Sequence, residues 1–352
     1  MRHRPRWAAG SGRARARAGR LALGSAAGLM LAACSASGQP PAPPAHWVRF
    51  HHLAGVVDLA GPGRDGSFTV AAGGHLFALS QSGGLQPFAQ GKGGYATAPG
   101  PEPYIAMANS AKVAGTHCSF GSGSVYALEP GADAGIVVIS ADGRARRFAS
   151  LPAGDRPTGI AFDTTGLFGH RLLVTVRSPY SGVLLAISCT GAVGAVAAPA
   201  PVVEGGIAVA PLSFGRYGGD LVGANESSGR IYAFGPGGDV ATLAVPGLPP
   251  GGDIGVESVG FVPPGFGAGD AAYLADRYSP GNRHPGTNSI LQLPGAELIK
   301  AGVRAGDLLV ATEGGARTIM VRCTRSCAVR YVADGPAITH AEGHIVFTGP
   351  AS

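Results

Sequence analysis

From Thr158 onward the chain returns several times to one short pattern, and that return restricts it to folds built from repeated small units. Thr158–Ile187, Gly205–Phe234 and Glu257–Leu293 each read as an apolar strand, a turn rich in Gly and Phe, a second strand, a polar loop and a third strand. A fourth strand follows where the unit is complete, as in Val240–Val245. Aligning Ile160, Ile207 and Val259 gives spacings of 47 and 52, and the next match, Ile345, lies 86 further on, about two units. Weaker copies begin near Val56 and Ile105. Four short strands per unit of roughly 40–50 residues describe the blades of a β-propeller.

Composition agrees with an all-β chain. The 352 residues include 59 Gly and 28 Pro and are only 14% charged, and Val/Ile/Leu/Phe/Tyr runs alternate with Gly, Pro, Asp and Ser. No 3.6-residue periodicity is sustained, so short strands and tight turns account for the pattern. Six blades fit the length best, five and seven being the alternatives. The segment around Ile345 is expected to complete the first blade or an edge blade, because closing the ring with the far end of the chain hides exposed strand edges.

The N-terminal segment has a different character. Seven arginines lie in the first twenty residues and no acid precedes Cys34. Without them the chain carries 20 basic against 21 acidic residues rather than 27 against 21, so the formal +6 belongs to the leader and nucleic acid is not an expected partner. The uncharged stretch Leu21–Ala33 suits a secretory h-region and is short for a membrane span. It ends in Leu31-Ala32-Ala33-Cys34, which resembles the lipobox of bacterial lipoproteins. That resemblance implies cleavage before Cys34, acylation of its thiol and an anchor on the extracytoplasmic face of the cell membrane. The expected organisation is a signal peptide over 1–33, a Pro-rich linker over 34–46 and a propeller over 47–352.

The repeats resemble the six-bladed propellers of the gluconolactonase and NHL group over most of residues 50–348. There is no WD dipeptide, and Trp47 is the only tryptophan after the leader, which argues against WD40 and tryptophan-docked quinoprotein propellers. Metal ligands of gluconolactonase-like enzymes include a glutamate at the start of an inner strand. Glu204, Glu257 and Glu342 resemble it in position, although the Pro and Trp that usually follow are absent.

Glu204 and Glu342 stand three residues before the aligned isoleucines, and Glu257 is one residue off that register. Carboxylates gathered on one axis repel unless they bind a cation or take protons. His340 and His344 bracket Glu342 at even spacing, which places all three on one face of a strand. These five residues form a candidate divalent-cation site, for calcium or zinc. A second set follows the second strand of each unit: Arg177, Glu226 with Asn225 beside it, Asp276 and Glu313. The insertion Ser279–Asn288 adds Arg283 and His284. Glu226, Asp276, Arg283, His284 and Glu313 are candidates for contacting a ligand, a carbohydrate or a protein.

Four further cysteines in an exported domain suggest two disulfides. Cys323 and Cys327 flank three residues between apolar runs and would face each other across a hairpin. Cys118 and Cys189 would then join neighbouring blades. The expected function is that of a lipid-anchored, non-catalytic binding module. The alternatives are a metal-assisted hydrolase or lactonase and, more distantly, a sugar-oxidising quinoprotein.

Overall fold

The computed structural model describes residues 44–97 and 102–349. Cys34, the leader and most of the linker lie outside the described residues. Six sheets form a closed ring of blades, so the chain is a six-bladed β-propeller. The inner strands are Val56–Ala60, Ile105–Met107, Arg156–Phe162, Glu204–Val209, Val256–Phe261 and Ala341–Phe347, in blades one to six. They hold the six aligned positions Val56, Ile105, Ile160, Ile207, Val259 and Ile345.

Alternation along each strand builds the ring. In Leu172–Arg177, the second strand of blade three, Leu172, Val174 and Val176 pack toward blade two, whereas Leu173 packs toward blade four. In blade six, Ala272 and Leu274 face blade five while Ala271, Tyr273 and Ala275 face blade one. Both faces are therefore dry, and these strands read as continuous apolar runs. Six hydrophobic clusters fill the six interfaces between neighbouring blades. Each fully buried Leu, Ile or Val contributes about 1.5–3 kcal/mol of transfer free energy.

Blades five and six depart from the simple repeat. After Phe261 the chain does not continue blade five. It crosses to make Ala271–Asp276 and Ser289–Pro294 of blade six and passes through the short helix Gly295–Lys300. It then returns to supply Leu308–Thr312, Thr318–Cys323 and Cys327–Asp334 of blade five. The unit expected over Glu257–Leu293 is thus split between two blades. Strand order along the chain is the same in both arrangements, so the repeat pattern alone could not distinguish them.

Ring closure joins strands from far apart in the chain. Ala341–Phe347 is the inner strand of blade six, not of blade one, and Val48–His52 is the outer strand of that same blade. Ala45–His46, expected to be linker, pairs in parallel with the last strand of blade five. Trp47, buried between these blades, donates its indole N–H to Thr318 Oγ1 at 2.8 Å. Both expected disulfides are present. Cys118–Cys189 joins blades two and three at a Cα separation of 6.0 Å, and Cys323–Cys327 spans the blade-five hairpin at 4.0 Å.

Candidate functional site

The N-terminal ends of the inner strands meet at one mouth of the central channel, and glutamates gather there. Tyr104, directly before the blade-two inner strand, is buried, and its hydroxyl donates to Glu342 Oε2 at 2.7 Å. The same oxygen lies 3.2 Å from Glu257 Oε1 and 3.2 Å from Glu102 Oε2. The hydroxyl thus stands among three carboxylates and can give its single proton to only one of them at a time. Burial, followed by repulsion from Glu342 and Glu204, pushes Glu257 well above the usual carboxylate range.

Gly205 makes room for this acid. A Cβ there would lie 2.1 Å from Glu257 Oε1, and its φ of +72° suits glycine.

Glu342 is the charged centre of the cluster. Burial works to raise it, but His340, Arg277 and Tyr104 together hold it below its ordinary value. Arg277 Nη1 reaches Glu342 Oε1 at 3.2 Å and also binds Glu102 Oε1. His340 Nε2 lies 3.0 Å from Glu313 Oε1 and 3.4 Å from Glu342 Oε1. Burial opposes its charge, yet these two carboxylates outweigh it and raise the imidazole to about 10. Repulsion from Glu342, with burial second, lifts Glu102 to about 7. Glu226 is raised to about 9, first by burial and then by Glu204 and Glu313. Arg177 Nη2 pairs with Glu204 Oε2 at 2.9 Å at the rim.

Three buried polar atoms in this cluster have no hydrogen-bond partner: Glu257 Oε2, Glu313 Oε2 and His340 Nδ1. One donor atom from each of Glu313, His340 and Glu342 lies within 4.8 Å of the other two. Ligands around one cation at about 2.0–2.4 Å stand no farther apart than that, so the set fits a divalent ion. A mixed carboxylate and imidazole set suits zinc better than calcium, which prefers oxygen alone.

The structure thus groups Glu342, His340 and Glu313 directly, with Glu257 joined through Tyr104 and Glu204 through Glu226. It separates the other candidates from them. His344 turns away into the channel, where Nδ1 lies 3.0 Å from both oxygens of Asp58 and Nε2 lies 2.9 Å from the Ile160 carbonyl. Facing the same way from the strand did not keep it at the mouth, because a register shift interrupts the pairing around it. Asp276 is fully buried and accepts from the His340 backbone N–H at 2.9 Å and from Thr287, so its carboxylate is spent on the wall. His284 pins the insertion to the Ala337 carbonyl at 2.7 Å, and Arg283 is exposed.

Sequence reasoning missed Tyr104, Glu102, Arg277 and Asp58. Glu102 had a signal: it precedes Ile105 by three, the offset shared by Glu204 and Glu342. Asp58 is a carboxylate of an inner strand, but it follows the aligned Val56 rather than preceding it, and Tyr104 carries no charge that the repeats single out.

No family model matches the chain, and no curated protein matches it. Among solved structures it is similar to a catalytically inactive virginiamycin B lyase from Staphylococcus aureus with quinupristin. The identity is 10%, covering 81% of this chain and 73% of that one, with a TM-score of 0.44. A luciferin-regenerating enzyme is 11% identical over 86% of this chain and 82% of its own, with a TM-score of 0.44. Regucalcin, a calcium-binding protein from Agrobacterium tumefaciens, is 14% identical over 68% and 74%, with a TM-score of 0.36. At such identities the likeness is one of fold alone, and the chemistry of this chain rests on its own residues.

Proposed function

We propose that the protein is an extracytoplasmic binding module, held at the membrane through acylated Cys34, that takes a divalent cation at the acidic mouth and a small polar ligand over it. The observation that carries the cation is the cluster Glu313, His340 and Glu342, whose donor atoms lie within 4.8 Å while buried oxygens of Glu257 and Glu313 remain unpartnered. Zinc is the expected ion, with calcium the weaker alternative. The membrane location is supported by the arginine-rich leader, the apolar run and Leu31–Cys34.

Hydrolysis, as of an ester or lactone, is a second reading that one observation favours. Glu257 is a buried acid whose carboxyl is pushed well above the usual carboxylate range beside the cation cluster, the direction that favours a proton donor to a leaving group. When bound, a divalent cation polarises a carbonyl or activates water.

The test is calorimetric titration of the chelator-stripped chain with zinc and with calcium. One high-affinity zinc site is expected, weakened at least ten-fold by Glu342→Gln and by His340→Ala. Because the ion must displace the His340 proton, affinity should rise with pH up to about 10. Absence of any stoichiometric zinc or calcium uptake would remove the cation from the proposal. Mass spectrometry of the mature terminus tests the anchor separately; an unacylated terminus other than Cys34 would exclude it.

A further inference from the structure

The channel has a second mouth of opposite character. The C-terminal halves of all six inner strands enclose a cavity of about 410 Å³, within the range of small-ligand sites. Ala106, Met107, Phe162, Ala208, Phe261 and Phe347 are among its lining residues. Thr164 and His344 are the only polar side chains among the described residues of that lining.

The cavity is closed at its inner end. Asp58 accepts from the backbone N–H groups of Leu59 at 2.8 Å, Ile105 at 2.8 Å and His344 at 2.7 Å. The His344 ring then bridges Asp58 and the Ile160 carbonyl across the axis. With both ring nitrogens engaged, His344 has nothing left to offer a polar guest. From this floor to the rim, four residues of extended strand measure about 13 Å.

The rim is apolar as well. Pro62, Pro211, Pro263 and Pro264 line it, and proline presents no backbone N–H. On the same face, Leu167 and Leu212 are 50% and 64% exposed, in the loops that also carry Thr164 and Pro211. Their side chains flank one another: a Cβ on Gly219 would lie 2.3 Å from Leu167 Cδ1 and 3.5 Å from Leu212 Cδ2.

We infer that this mouth is a second binding site, which takes the hydrocarbon tail of an amphiphile. A blind cavity with mostly apolar side chains, open at one end, rewards burial of a tail at about 25 cal/mol per Å² and leaves the head group in water. A guest polar throughout would find its buried groups unpaired, at a cost of about 1–3 kcal/mol each. The Asp58–His344 bridge insulates this site from the acidic mouth, so the inference does not depend on what binds there.

The test uses cis-parinaric acid, whose fluorescence rises in an apolar environment, with the full chain carrying Cys34→Ser. That substitution removes any acyl chain of the protein itself, so the result is independent of whether Cys34 is an anchor. Saturable binding at one probe per chain is expected. Ala208→Trp should fill the cavity and Met107→Glu should place a charge on its wall, each lowering affinity at least ten-fold with circular dichroism unchanged. Val329→Ala on the outer strand of blade five should leave affinity unaltered. Should Ala208→Trp fail to fold, Met107→Glu decides. Absence of saturable binding would overturn the inference. So would binding that survives Met107→Glu and is lost on Leu167→Ser with Leu212→Ser, since the probe would then lie on the outer face.

Discussion

Glu226 shows how the acidic mouth trades stability for readiness. Burial first, and Glu204 and Glu313 next, raise its carboxyl to about 9, so the folded chain keeps a proton there that the unfolded chain releases near pH 4.5. Stability contributed by that proton is full below pH 4.5 and is lost as pH climbs toward 9. Glu226→Gln keeps a neutral hydrogen-bonding side chain and removes the penalty. Urea unfolding in the presence of a chelator should show the variant more stable by about 1 kcal/mol at pH 7, solvent screening being allowed for, and equal to wild type at pH 4. The reason part of this site was legible in the sequence is also found at this scale. A glutamate three residues before an aligned isoleucine marks the mouth in blades two, four and six. Arg277 and Tyr104 follow no such rule, because a counter-charge or a hydroxyl is selected by neighbours that only the closed ring brings together.

At the scale of elements, the inner strands were readable because six blades impose six similar apolar starts. The exchange between blades five and six was not, since a hairpin written in sequence carries no label for the sheet it will join. The two disulfides bear on different lengths of chain. Cys118–Cys189 closes 71 residues and clamps blade two to blade three, whereas Cys323–Cys327 closes a separation of 4. Removing the first pair by double alanine substitution should cost about 4 kcal/mol, and removing the second about 1–2 kcal/mol, on the loop-entropy model. Denaturant titration of both variants beside wild type measures the difference. Equal losses would show that native-state strain, not chain entropy, sets the contribution.

The propeller presents a ring with two unlike mouths, one crowded with carboxylates and one lined mostly by apolar side chains. It is closed in blade six, whose sheet joins Val48–His52 to Ala341–Phe347. Ala271–Asp276 waits for Ala341–Phe347 on one side, and Ser289–Pro294 needs Val48–His52 on the other. A chain ending at Thr339 should therefore lose more than one strand. Blades five and six, interleaved, are expected to unravel together, with rapid proteolysis across residues 262–334 while blades two to four stay resistant. Uniform resistance would disprove their mutual dependence.

That closure also sets a timetable. Contacts this distant along the chain form late, because a long loop must first be closed. Val48–His52, near the start of the domain, has no partner until some 240 residues more have been made, by the spacing to Ser289–Pro294. The inner strand of its blade comes later still. Blades one to four can fold as they emerge, but the ring stays open until Ala341–Phe347 has been made. A chain built in this way stays an open thread of blades for most of its synthesis and becomes a ring only at the end.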